Sequence, residues 1–408
     1  AFGYPATLRD EEFDPEFAIR GLAVDKTNGV ICKLSHLQRI GSNYAYMGKK
    51  ALSAEKIEDL YGEFRTVSKG DIESMRPLDD MFAMAEACLI ADVMHVLGTK
   101  EDTYGEIYSP VNVVDDVLSA VREVHISGSM HDAVLRNPHH YIIPSPNLYM
   151  MLMKFKQAGK QLFLCTNSGA NYTEKAMDFV LGDALKGNSW RDIFDVIICS
   201  ANKPKDFFYS KKPFRKWADS TNNLSPMPVG SLEPGTIYIN GSVHALRRAT
   251  GWSSRRVLFA GDNLFADLVE ARKYHGWQTA CVIQELHHDI TVQNTSQFQQ
   301  LHFLRSSTRE LINDLQKAME VKRLENLLES QSQSSNAVAD STHGPGTLAL
   351  GKPKYYDAAD RDVIHKLEMQ LQRINHEMSD SFNKHFGSTF RTDGSPTRFA
   401  FSIRRFVQ

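Results

Sequence analysis

The chain has 408 residues, 42% apolar and 24% charged, with a formal net charge of −2 at pH 7. That length holds one domain of ordinary size with a large insertion, or two domains sharing a core. The near-neutral balance excludes bulk attraction to nucleic acid or to an anionic membrane, and neither is expected as a partner. Cys32, Cys88, Cys165, Cys199 and Cys281 lie singly in apolar runs with no C-x-x-C pair, the pattern of buried thiols in a reducing compartment. No apolar run reaches the roughly 18 residues of a membrane span, and no basic start leads into an apolar core, so an intracellular location is expected. Cytoplasm is favoured over mitochondrion. The opening at Ala1 and the stop at Gln408 both read as cut ends.

Taken in chain order, Leu22-Ala23-Val24 and Val30-Ile31-Cys32 predict a hairpin closed by Thr27-Asn28-Gly29, whose Asn-Gly pair suits a tight primed turn. Helical signals dominate from Ser53 to Gly98. Ser53 predicts a helix cap, and Ala85, Leu89, Val93 and Val96 recur at helical spacing. Val114, Val117, Leu118 and Val121 predict another amphipathic helix.

After Pro144, a helix over Leu148 to Gln157 leads to a short buried strand, Leu162 to Cys165. Three more such strands are predicted at Val196 to Cys199, Thr236 to Ile239 and Val257 to Phe259, with helices between them. Short apolar strands alternating with helices predict an α/β fold, a parallel sheet covered on both faces. Beyond Ile290, a long helix from Phe298 to Glu329 carries Leu304, Leu311, Leu315, Leu324 and Leu327. A polar linker then precedes a helix from Ala358 to Phe386 with Ile364, Leu367, Leu371, Ile374 and Met378 on one stripe. That stripe can pack within the chain or against another copy.

Three elements carry chemistry. The strand ending in Cys165-Thr166-Asn167-Ser168 offers hydroxyl and amide groups at the carboxyl edge of the sheet, where ligands bind in such folds; the same residues can instead simply cap the next helix. Lys203, in the loop after Cys199, can neutralise a transferring phosphate, or belong to a solvated basic loop with Lys205, Lys211 and Lys212. Gly261-Asp262 with Asp267 five residues on brings two carboxylates to one spot, oxygen ligands suited to Mg²⁺; the alternative is a turn and helix cap. All three follow a strand in the same order.

On these residues the chain resembles the haloacid dehalogenase superfamily: Thr166 matches its second motif, Lys203 the third, and Asp262 with Asp267 the fourth. It is most similar to the 5′-nucleotidase type, cytosolic purine 5′-nucleotidases and 5′-nucleotidase domain-containing proteins, through Arg20-Gly21-Leu22 to Asp25, Val121 to Met130, Trp190 to Pro204, Gly235 to Ser242, Gly261 to Asp267 and Phe386 to Arg391. The resemblance implies a Rossmann-like core, a largely helical cap, C-terminal helices, Mg²⁺, and hydrolysis of a nucleoside monophosphate or related phosphomonoester through an aspartyl-phosphate. It implies catalytic roles for Thr166, Lys203 and Asp267, metal binding by Asp262, and substrate contacts from His125, Asn167 and Ser168. Arg122 and His131 stand where the purine enzymes carry an acid and a lysine.

The family's Asp-x-Asp motif is not found, and Asp25 and Asp79-Asp80 are poor stand-ins for it. The expectation is therefore that the central first strand, with the nucleophile, is missing upstream of Ala1 and that the chain alone is inactive. The expected organisation is a start of core at 1–35, a helical cap at 36–143, a core at 144–290 and a helical extension at 291–408 with a linker at 330–351. A non-catalytic scaffold that uses the C-terminal helices for partners is the alternative function, and a homo-oligomer is compatible with either.

Overall fold

The computed structural model describes residues 3–98, 108–218, 223–252, 254–337, 358–392 and 394–406; most of the expected linker, 338–351, lies outside them. Two compact units are present, one comprising Ala1–Ile283 with Thr389–Gln408, the other Gln284–Ser388. The fold is mixed α/β.

The first unit begins with an antiparallel sheet that the sequence only partly announces. Strands β1 (Leu22–Asp25), β2 (Val30–Leu34), β3 (Ile40–Met47), β4 (Lys50–Ala51) and β5 (Arg76–Leu78) pair in the order β4-β3-β2-β1-β5. The predicted hairpin forms, but not through a primed turn. Type I′, the primed turn that an Asn-Gly pair favours, needs positive φ at both central residues, and of Asn28 and Gly29 only Gly29 has it (φ 68°). The Asp25 carboxylate instead accepts from the backbone N–H groups of Thr27 and Asn28 at 2.9 and 3.3 Å, closing a wider loop. Strands β3 to β5 fall in the stretch read as helical cap, because β3 mixes polar and aromatic residues (Ile40-Gly41-Ser42-Asn43-Tyr44) without clean alternation.

Helices Ala54–Tyr61, Lys69–Ser74, Phe82–Gly98 and Pro110–Ile126 follow where the helical signals put them, and Ser53 Oγ caps the first by accepting from Lys56 N at 3.2 Å. Phe82–Gly98 buries Ala87, Ile90, Ala91 and Met94 and leaves Leu89 45% exposed. Its apolar residues run most of the way round, so periodicity does not choose the inward face. Two ion pairs do: Arg76 with Glu86 and Lys49 with Asp92, each 2.7 Å, fasten it to the sheet.

The second sheet positions the site. Strands β6 (Phe163–Cys165), β7 (Val196–Cys199) and β10 (Ile237–Asn240) are mutually parallel, and a hairpin of β8 (Phe214–Ala218) and β9 (Asn223–Pro228) extends it antiparallel, in the order β6-β7-β10-β8-β9. β7 is buried throughout: Val196 and Ile198 face one core cluster with Phe207, Phe259 and Trp277, while Ile197 and Cys199 face another with Trp190 and Ile193. That is the two-sided burial that makes a parallel strand read as an unbroken apolar run. The hairpin β8–β9 is not anticipated by the sequence. A separate parallel pair, β11 (Leu258–Gly261) and β12 (Gln278–Cys281), completes the set with no ladder to β6.

Residues expected in one C-terminal extension divide between the units. Arg398–Phe406 forms a helix of the first unit, where Ile403 and Phe406 pack on Leu264, Leu268 and Val269. In the second unit, the helices Ser296–Ala337 and Ala358–Asp380 pack together through Leu301, Ile374 and Met378. The predicted stripe of the shorter helix is thus its inward face; on the longer one Leu304, Leu311 and Leu324 are exposed and Leu301, Thr308 and Ile312 take the seam.

Gly241, just past the tip of β10, has φ +87°, and a Cβ there would sit 2.0 Å from the Phe214 ring. Gly241→Ala is expected to lower stability by about 1–3 kcal/mol, read as a fall in the urea midpoint at constant m-value.

Candidate active site

The carboxyl tips of β6, β7 and β11 meet at Lys203. The loop after β7 turns through positive φ at Ser200 and Asn202 (47° and 55°) and presents Lys203 back toward β6 and β11. Its ammonium donates to the Cys165 carbonyl at 2.8 Å, pairs with Asp267 Oδ1 at 2.8 Å, and lies 5.3 Å from the centre of the Phe259 ring. Both side chains of the pair are 9% exposed.

The approach of Asp267 depends on Gly261. A Cβ at 261 would lie 2.4 Å from Asp267 Oδ2, so only glycine lets the carboxylate fold against the strand end. Asp267 sits in a π-helical turn, Leu264–Val269, which Asn263 caps by accepting from the N–H groups of Phe265 and Ala266 at 3.2 and 2.9 Å.

Thr166, Asn167 and Ser168 reach the same place by different means. Thr166 is half-buried and its Oγ1 accepts from Ser168 N at 3.1 Å, which leaves the hydroxyl proton available to donate. Asn167 spends both ends of its amide on Lys203, accepting from its N–H at 2.7 Å and donating to its carbonyl at 3.0 Å. These two bonds fasten one loop to the other. Ser168 is half-buried, and its carbonyl accepts from Ser200 N at 2.8 Å.

Asp262 is exposed, and among the described residues its carboxylate has no ion-pair partner. Its carbonyl accepts from Arg20 Nη1 at 2.9 Å, and Arg20, 2% exposed, lies over the Phe399 ring. No cluster of three His, Cys, Asp or Glu forms a ready-made metal cage among the described residues. The donor set is one unengaged hard carboxylate at a strand tip, which fits an ion that takes one or two carboxylates and fills the rest of its shell with water and phosphate oxygens.

His125 lies on the helix Pro110–Ile126, its Nδ1 2.9 Å from the Val121 carbonyl and its ring 5.0 Å from that of Phe82, which is 59% exposed. Sequence reasoning missed Arg20, Asp79, Asp80, Phe82 and Asn263. Asp80 caps Ala83 N at 2.9 Å and lies 3.5 Å from Asn263 Nδ2, so the start of the Phe82 helix is held beside the Asp262 turn. Burial pushes the Asp79 carboxyl up to about 6, against the opposing pull of Arg398, Arg76 and Arg20. Arg20 and Asn263 lie only within stretches of resemblance, and Asp79-Asp80 enters the sequence reading only as a poor stand-in for the Asp-x-Asp motif. Burial likewise pushes the Cys165 thiol up to about 12, so it is a core group and not a nucleophile.

The whole chain, residues 1–408, matches the 5′ nucleotidase family. It is 29% identical over 405 residues to a 5′-nucleotidase domain-containing protein of Dictyostelium discoideum, covering 98% of this chain and 61% of that protein. It is 30% identical to 5′-nucleotidase domain-containing protein 2 of Rattus norvegicus and 29% identical to that of Homo sapiens, each over 413 residues and 99% of this chain, and 66% and 70% of those proteins. The chain belongs to the 5′-nucleotidase family, and spans about two thirds of the length of these relatives. No helix among the described residues is long and apolar enough to cross a membrane.

Two outcomes are expected from this geometry. Lys203→Met and Asp267→Leu singly each strand a buried charge and cost about 3–5 kcal/mol, whereas the double variant recovers most of that loss in urea denaturation. Asp79 ionises near 3.8 when unfolded and near 6 when folded, so it withdraws stability as pH rises from 3.8 to about 6 and the deficit is constant above. Asp79→Asn should therefore be more stable than wild type at pH 7, by up to about 3 kcal/mol, and lose that advantage below about pH 4 in a melting series.

Proposed function

We propose that the intact protein hydrolyses a phosphomonoester, a nucleoside 5′-monophosphate by family, with Mg²⁺ and through an aspartyl-phosphate. The observation that carries this reading is the meeting of Lys203, Asp267 and Thr166 at the tips of strands that flank an open edge. β6 pairs only with β7, and β11 only with β12, among the described residues, while Phe163 and Phe259 stack 5.8 Å apart across the interval. One extended strand inserted parallel between them would satisfy both rows of backbone groups. A haloacid dehalogenase-like core has this form, and the strand supplying the nucleophilic Asp is proposed to fill the slot. Among the described residues no Asp-x-Asp segment occupies it.

In this scheme a carboxylate oxygen of that Asp attacks phosphorus in line, the P–O bond to the nucleoside breaks, and the leaving oxygen takes a proton from the second Asp of the motif. Water then cleaves the acyl phosphate, restoring the carboxylate and releasing inorganic phosphate. The Thr166 hydroxyl and Lys203 ammonium hold the phosphoryl oxygens, Asp267 keeps Lys203 aimed, and Asn167 fixes the loop that bears it. Asp262 would hold Mg²⁺, which when bound offsets charge on the phosphoryl group. Ser168 and His125 meet the substrate, His125 with Phe82 presenting an aromatic edge to the nucleoside. The 408 residues alone are proposed to be inactive.

The test joins this chain to a gene product that includes an Asp-x-Asp strand and measures phosphate release from nucleoside monophosphates in Mg²⁺. Lys203→Met should cut turnover about 10²–10³-fold, the usual cost of losing one charge-stabilising donor. Release of no phosphate from any nucleotide by the motif-bearing protein would sink the hydrolase reading and leave a scaffold in its place.

A further inference from the structure

The two segments joined by the buried Lys203–Asp267 pair are tied a second time at the surface. The short helix Lys205–Tyr209 follows directly on Lys203-Pro204, and the helix Glu270–His275 continues the π-helical turn that bears Asp267. Each helix is thus the continuation of a segment that presents one member of the pair. Between them, Phe207, Phe208 and Ala271 are buried in one core cluster with Phe259 and Trp277. His275 Nε2 lies 2.9 Å from the Phe208 carbonyl, which can only accept, so the ring carries its proton on that nitrogen. The Phe208 and His275 rings lie 5.7 Å apart at 30°.

The outer tie is polar. The Tyr209 hydroxyl donates to Glu270 Oε2 across 61 positions of sequence, and the Tyr209 and Tyr274 rings meet edge-on with centres 5.4 Å apart at 72°. Both tyrosines are 55% exposed, so burial does not account for the contact. A phenol bonded to a carboxylate, with an aromatic edge beside it, is held in one of the rotamers that solvent leaves open to it. Lys203 and Asp267 come from loops after different strands, and a displacement of about 1 Å at a catalytic group is enough to cost a large factor in rate.

Building on the role proposed above for Lys203, we infer that Tyr209 and Glu270 are positioning residues: their bond holds the helix after Lys203 against the helix after Asp267 and so keeps the ammonium and the carboxylate aligned at the strand tips. This clasp acts from the protein surface and touches no reacting atom.

Kinetics of the motif-bearing protein test it, with far-UV circular dichroism to establish that each variant folds. Tyr209→Phe keeps the ring and removes the bond; it should lower kcat about three- to tenfold and leave KM for a nucleoside monophosphate within about twofold of wild type. Glu270→Ala should match it, and combining the two should cost no more than either alone. Glu270→Gln, whose amide oxygen still accepts from the phenol, should keep kcat within about twofold of wild type. A wild-type kcat in Tyr209→Phe, or a loss that Glu270→Gln shares in full, would overturn the positioning role and leave the hydrolase standing. If the motif-bearing protein releases no phosphate at all, the hydrolase reading falls and urea denaturation decides the clasp. Tyr209→Phe should then cost at least about threefold less in the unfolding equilibrium constant when Lys203→Met and Asp267→Leu are both present than in wild type. Equal costs in the two backgrounds would overturn it.

Discussion

The Lys203 ammonium ties together three parts of the chain that are far apart in sequence. It is held between the Asp267 carboxylate and the Cys165 carbonyl, each at 2.8 Å, in a setting where both charged side chains are 9% exposed. A charge so buried is tolerated only while its partners stay in place, so the pair constrains the tips of β6, β7 and β11 to one arrangement. Other features serve that constraint: Gly261 leaves room for the carboxylate, Asn167 pins the lysine loop, and Arg20 holds the carbonyl of Asp262.

The same strand tips border the interval between β6 and β11. β6 and β11 face one another without a ladder, although their side chains already share a core with Trp277. The strand proposed to carry the nucleophile would lie in this interval. The chemistry proposed for the family needs a carboxylate at the same place, next to the ammonium and the threonine hydroxyl.

Much of this was legible in the sequence. Val196 to Cys199 is observed with the predicted bounds, because a strand buried on both faces carries an unambiguous local signal, and the helix Val243–Thr250, set between Ser242 and Gly251, is one of those expected between the strands. Lys203 and Asp267 were recognised as a set, since each follows a strand tip. The β8–β9 hairpin and β3 to β5 were not foreseen: their residues are partly polar, and their pairing is set by neighbours and not by local pattern. On the helix Ser296–Ala337 the long run of leucines leaves several faces possible, and packing against Ala358–Asp380 selects Leu301 and Ile312.

What the amino-acid sequence determined by itself was the family, the α/β class and the residues proposed to handle a phosphate, because those depend on residue type and on distance along the chain. Only the tertiary structure decided that Asn167 clamps a loop, that Asp80 lies beside Asn263, and that Tyr209 donates to Glu270. Those relations join residues from 36 to 183 positions apart, and a hydrogen bond or ring contact forms only when the packed core brings such distant groups within a few ångströms of each other.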